Sequence, residues 1–209
     1  MSKLSFRRAI AFALAGIALG GVPVFGQDGL YAPRVPDDAA LVRVANLHGS
    51  DDSPRLDVGR ERFAPRAAGD VGPYRAVPPG VYILGGAGGV DFTPEPGRFY
   101  TIIVDHNGEL TVLQDEAHTD PARAQLVLYN FSDSPADLVA VPGDTVIFEE
   151  VSSGRSETIA VNAVSVELSV RSDGEEHARR KLDLERGESY ALFVGPEDVV
   201  VAAAAVSSE

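Results

Sequence analysis

A chain of 209 residues with a formal net charge of −13 and no cysteine must be held by its apolar cores, without disulfides to support them. The acidity counts against nucleic acid, anionic lipid and polyanionic sugar as partners gripped by bulk electrostatics, since each is repelled at long range. There is no tryptophan, so any aromatic platform for a sugar must be another ring.

The first 26 residues read as an export signal. Lys3, Arg7 and Arg8 precede an apolar run from Ala9 to Val22, and Val24-Phe25-Gly26 ends on a small residue. The run is about 14 residues, short of the roughly 20 that a spanning helix needs. Its removal takes away three basic residues and no acid, moving the charge from −13 to −16. The segment that follows carries Tyr31, Pro33 and Pro36 without periodicity and reads as an extended lead-in.

The first strong strand is Ala40 to Leu47, where Val42 and Val44 alternate with Leu41, Arg43 and Ala45, the pattern of one face in a core. Arg55 to Val58 and Arg60 to Ala64 are short strand candidates. Val77-Pro78-Pro79-Gly80 predicts a type II turn, with Pro79 presetting φ and Gly80 supplying a positive one. Val81 to Leu84 follows, then a glycine-dense connection from Gly85 to Gly89. That connection lacks the spacing and the following helix of a phosphate-binding loop and reads as a flexible hairpin link. Tyr100 to Val104 is the most apolar strand of the first half, and Asn107-Gly108 turns it back into Glu109 to Leu113. Asp115 to Ala122 is polar, contains proline and reads as a linker.

The chain then repeats itself. Ala124 to Phe131, Ala-Gln-Leu-Val-Leu-Tyr-Asn-Phe, echoes Ala40 to Leu47 at an offset of 84 residues, and Gly187 to Val194 echoes Gly97 to Val104 at an offset of 90. Between these copies lie strands at Asp137 to Val141 and Thr145 to Phe148, a Pro142-Gly143 turn, and the alternation Val164, Val166, Leu168, Val170. Asp173-Gly174 and Arg186-Gly187 turn the chain again, and Val199 to Val206 closes it. Short strands separated by Gly and Pro, with no apolar helical stripe beyond the leader, predict an all-β chain of two tandem antiparallel β-sandwich domains. The boundaries are 1–26 for the signal, 27–116 and 123–209 for the sandwiches, and 117–122 for the linker. Asn46 and Asn130, at equivalent strand ends, read as structural, each bonding nearby backbone to fix the turn that follows.

Chemistry is sparse. Asp115 and His118 have the D-x-x-H spacing of some serine hydrolases. The companion Gly-Asp-Ser is absent, however, Gly143-Asp144-Thr145 standing downstream with threonine. There is no Gly-x-Ser-x-Gly elbow, so no catalytic residue is assigned. Asp51, Asp52 and Asp57 near His48 offer oxygens of the kind calcium uses, but the spacing matches no calcium loop, so neither metal nor cofactor is assigned. Of the six tyrosines, Tyr100, Tyr129 and Tyr190 fall within the repeated strands and read as core. Tyr31 and Tyr74 have Pro or Gly neighbours and are the candidates for exposed contacts with a sugar or a partner.

Taken together, Leu30-Tyr31-Ala32-Pro33, Leu41 to Asn46, Pro78-Pro79-Gly80-Val81-Tyr82, Phe99 to Ile102, Ala124 to Asn130 and Leu184 to Gly187 resemble the alginate biosynthesis protein AlgF family across nearly the whole chain after the leader. The resemblance implies a periplasmic protein with two carbohydrate-binding-module-like β-sandwiches, required for O-acetylation of the exopolysaccharide alginate. It implies an adaptor without a catalytic site, whose partners are the membrane and periplasmic acetyl-transfer proteins. The alternative is a carbohydrate-binding protein that touches the polysaccharide directly. No nucleic acid and no membrane insertion after signal cleavage are expected.

Overall fold

The computed structural model describes residues 36–48, 56–63, 67–85, 89–196 and 199–203, which pack as one compact unit. Residues 1–26, read from the sequence as the export signal, Tyr31, Asp51, Asp52 and the middle of the glycine-dense connection lie outside these residues. All the regular elements described are strands, as the sequence predicts for a β-sandwich protein. Among the described residues no helix is long and apolar enough to cross a membrane.

The first repeat contains β1 (Ala40–Asn46), β2 (Leu56–Val58), β3 (Glu61–Phe63), β4 (Arg75–Val77), β5 (Tyr82–Leu84), β6 (Val90–Phe92), β7 (Phe99–Val104) and β8 (Leu110–Asp115). Its main sheet has the order β4-β1-β7-β8, and the β2-β3 and β5-β6 hairpins are separate two-stranded sheets. One face of the main sheet, carrying Val42, Val44, Tyr100 and Ile102, packs against Leu56, Val58, Phe63, Leu84 and Phe92 from the hairpins.

The second repeat contains β9 (Ala124–Asn130), β10 (Ala136–Val141), β11 (Thr145–Val151), β12 (Arg155–Val161), β13 (Ser165–Ser172), β14 (Glu175–Asp183), β15 (Ser189–Val194) and β16 (Val199–Ala203). These form two sheets, β11-β10-β13-β14 and β12-β9-β15-β16. Leu126, Leu128 and Leu192 from one meet Leu138, Phe148, Leu168 and Val170 from the other. In the predicted alternating strand, Leu168 and Val170 do enter this core and Val166 borders it, while Val164 stays exposed just before β13.

The sheets are not purely antiparallel. β1 pairs with β7, and β9 with β15, in parallel, whereas the other described ladders are antiparallel. Parallel neighbours need a long crossover, and in each repeat the intervening strands supply it. Strands in parallel pairs tend to be buried on both faces, and every residue of β9 is buried.

The duplication extends to individual hydrogen bonds. The Gly97 amide donates to the Ala39 carbonyl, and the Gly187 amide to the Arg123 carbonyl; Leu47 donates to Val104 as Phe131 does to Val194. The Tyr100 hydroxyl accepts from the Glu95 amide at 3.1 Å, as the Tyr190 hydroxyl accepts from Glu185 at 3.0 Å. Asn46 Oδ1 accepts from the His48 amide and Asn130 Oδ1 from the Ser132 amide. The Asn130 Nδ2 also donates to the Ser134 and Val151 carbonyls, so this asparagine holds the end of its strand as its position predicts.

Two local expectations change. Gly80 has no positive φ, so the Pro78-Pro79-Gly80 segment is not a type II turn. Glycine is required there by proximity, since a Cβ at Gly80 would lie 2.8 Å from Cζ and the hydroxyl of Tyr82. The segment Arg155–Val161 is polar apart from its last three residues and is not predicted as a strand, yet it pairs antiparallel with β9 along its full length as β12. A polar sequence suits the edge position, where half the side chains face solvent.

Candidate functional site

The opposite faces of the repeated strands point at each other. Ala45 and Ile103 of the first repeat pack against Val127, Tyr129, Phe131, Ala191 and Phe193 of the second, with Leu47, Val71 and Leu113 alongside. The Tyr129 and Phe193 rings stack with centroids 4.5 Å apart and planes 7° apart. Such a pair contributes about 0.5–1.5 kcal/mol beyond its area.

Next to this apolar joint lies a buried charge. Arg43, on the β1 face that period-2 reading leaves for solvent, is 1% exposed. Its Nε donates to Thr101 Oγ1 at 2.9 Å and its Nη2 to the Tyr129 hydroxyl at 3.0 Å. Those two hydroxyls in turn donate to the carboxylate of Asp115, Thr101 to Oδ2 and Tyr129 to Oδ1, each at 2.6 Å. The guanidinium fork therefore reaches both carboxylate oxygens through one hydroxyl each. A third hydroxyl, that of Tyr74, donates to Oδ2 at 2.9 Å. The guanidinium carbon also stands 4.5 Å from the centre of the Tyr74 ring, and 5.6 and 5.4 Å from Tyr129 and Phe193. A desolvated cation held this way gains about 2 kcal/mol or more from a ring face. Among the described residues Arg43 Nη1 has no hydrogen-bond partner.

The electrostatics follow from burial. Desolvation works to lower the Arg43 pKa, but Tyr74, Tyr129 and Asp115 together hold it above the ordinary arginine value. Burial, followed by the negative charge of Asp115, pushes the phenols of Tyr74 and Tyr129 well above the usual tyrosine range. Both are neutral donors throughout the physiological range.

Tyr74 is thus placed differently from its sequence expectation. Its flanking Gly and Pro suggest exposure, but it is 5% exposed, meeting Phe99 edge-on at 5.2 Å and Arg43 on its face. Tyr31, the other contact candidate, lies outside the described residues. Asp115 closes β8 rather than opening a solvated linker. It lines one wall of a shallow cleft of about 260 Å³, with Arg98, Phe99, Gln114 and Glu116 around it. His118 does not join it: its Nε2 donates to the Arg123 carbonyl at 3.1 Å. Of the calcium candidates, Asp57 is exposed on β2, and His48 Nδ1 donates to the His106 carbonyl at 2.9 Å.

Sequence reasoning misses Arg43 and Thr101. The available signal is that Ala124 to Phe131 carries almost no polar alternation, which marks a strand covered on both faces. Since Ala40 to Leu47 is its copy, the same two-sided burial applies to Arg43.

The sequence pattern of the family described as "Alginate O-acetyl transferase AlgF" matches residues 11–191, a span that runs through both repeats into β15. Alginate biosynthesis protein AlgF of Azotobacter vinelandii is 24% identical over 204 residues, covering 93% of this chain and 92% of that protein. Among solved structures, the C-terminal domain of AlgF from P. aeruginosa is 21% identical, with a match spanning 40% of this chain and 97% of that one at a TM-score of 0.35. With the family pattern matched over most of its length, this chain belongs to the AlgF family.

Proposed function

We propose that the protein is a non-catalytic periplasmic adaptor in the O-acetylation of alginate, bridging acetyl-transfer components rather than moving the acetyl group itself. Membership of the AlgF family supports the pathway, and the expected export signal at residues 1–26 supports the compartment. On this reading the word transferase in the family description names the process that the protein serves.

The observation that carries the non-catalytic part is the commitment of Asp115. Acyl transfer needs a nucleophile within hydrogen-bond reach of a base, and a third group that orients the base. Asp115 accepts hydroxyl hydrogen bonds on both oxygens, and His118 is turned to a backbone carbonyl. The D-x-x-H pair is therefore not arranged as base and orienter. The partners on this reading are membrane and periplasmic acetyl-transfer proteins.

Deleting the gene and measuring polymer-bound acetate tests the pathway. Acetate should fall while polymer yield persists; unchanged acetylation with normal yield would sink the assignment. Complementation with His118→Ala should restore acetylation in full, and failure by a stably folded variant would return the protein to the enzymes. A crosslinking pull-down from polymer-producing cells should recover acetyl-transfer proteins.

A further inference from the structure

The joint between the repeats is built from equivalent strands, but its side chains are not equivalent. At the offsets of 84 and 90, Arg43 has Val127 as its counterpart, Ala45 has Tyr129, Thr101 has Ala191 and Ile103 has Phe193. One repeat contributes the cation and its hydroxyl relay, and the other contributes the stacked rings. An apolar joint alone is non-directional and tolerates sliding. The polar cluster does not tolerate it, because one guanidinium fork must meet hydroxyls on β7 and β9 while both hydroxyls meet one carboxylate at the end of β8.

Taking an arginine and its carboxylate partner out of water is costly, and well-packed apolar groups of similar volume often give equal or greater stability. What the cluster adds over an apolar joint is register. We propose that Arg43, Thr101, Asp115 and Tyr129 form a latch that locks the two repeats into a single rigid body, with Asp115 as the positioning residue. The latch closes from the first repeat onto the second: Arg43 on β1 and Asp115 at the end of β8 both belong to the first repeat, and Tyr129 on β9 is their only hydroxyl contact across the joint among the described residues. Surfaces on the two repeats are consequently presented at a fixed distance and angle, so proteins engaging each repeat are oriented with respect to one another. This inference does not rest on the adaptor reading, since rigidity is measured on the isolated protein.

The test is NMR on the full chain, comparing alignment tensors from residual dipolar couplings and rotational correlation times for amides of β1 and β7 with those of β10 and β13. The unaltered protein should give one tensor and one correlation time for both sets. In the double variant Arg43→Met with Asp115→Leu, apolar groups replace the charges so that the joint can stay dry. Each repeat should keep its chemical-shift dispersion while the two tensors diverge and the correlation times fall toward that of a single repeat. Two tensors in the unaltered protein would overturn the proposal outright. So would a double variant that keeps one tensor identical to the parent's, because the joint would then be rigid without the latch. Should the double variant fail to fold, Tyr129→Phe is measured in the same way, and retention of the parental tensor by it would count against the latch.

Discussion

Tyr129→Phe is the most discriminating single perturbation. The ring is fully buried and stacked on Phe193, so phenylalanine keeps the apolar packing and removes one oxygen. That oxygen accepts from Arg43 Nη2 at 3.0 Å and donates to Asp115 Oδ1 at 2.6 Å. Hydrogen bonds to charged groups contribute about 1.5–3 kcal/mol each. Asp115 is half-buried beside a cleft, so water can replace one of the two, whereas Arg43 is too deeply buried to regain a partner. The net cost is about 2–4 kcal/mol, equivalent to a fall in Tm of about 4–16 °C for a folded unit of this size. Tyr190→Phe is the internal control: its hydroxyl meets only neutral backbone groups, Glu185 N and Asp183 O, at the surface. Its removal should cost about 1 kcal/mol or less. Urea titration or calorimetry of the two variants decides the matter. If Tyr129→Phe is no more destabilising than Tyr190→Phe, the hydroxyl relay contributes nothing to stability and the reasoning fails.

Three further outcomes follow from particular contacts. Asn130→Ala should cost about 3 kcal/mol or more by chemical denaturation, because it strands the buried carbonyl of Val151 and the Ser132 amide that the side chain satisfies. A result near zero would mean that neighbouring groups substitute for the amide. Gly80→Ala should cost about 1–3 kcal/mol through the clash with the Tyr82 ring, and the penalty should shrink in a Tyr82→Leu background. Equal penalties in both backgrounds would show that contact with the ring is not the cause. Finally, the phenols of Tyr74 and Tyr129 have pKa values raised by burial and then by Asp115. The unfolded chain loses these protons near pH 10 while the folded protein keeps them. Their contribution is fully present below that pH and is lost as pH rises beyond it. Stability measured by urea titration from pH 9 to 11 should therefore decline, with a shallower slope in Tyr129→Phe; an unchanged slope would count against a buried phenol there.

Much of the fold is legible from local chemistry. The Asp173-Gly174 turn occurs with φ of 53° and 79°, the two-positive conformation that a tight hairpin requires, and it joins β13 to β14 as predicted. Gly108 has φ of 79°, and Asp105 Oδ1 accepts from the Asn107 and Glu109 amides around it, so the Asn107-Gly108 signal marks a real reversal. By contrast, β12 carries only a weak local signature, with apolar residues confined to Ile159, Ala160 and Val161. Arg155 to Val161 becomes a strand because β9 offers it a free edge, and edge strands tolerate polar sequence. The candidate site was poorly legible. Tyr74 looks like a loop residue from its neighbours, and its burial depends on Phe99, Arg43 and Asp115, which lie far away in sequence.

The sequence by itself determined the β character, the acidic surface, the turn glycines and the internal duplication, because these rest on residue type and on spacings of a few positions or on direct repetition. Only the tertiary structure decided that the second face of β1 is turned toward β9 and β15. A period-2 pattern reports which side chains share a face but not what covers that face. An arginine on it reads as solvated until its partners are known. Here those partners are 58 and 86 residues away, brought within hydrogen-bond distance because two copies of one strand bury their backs against each other.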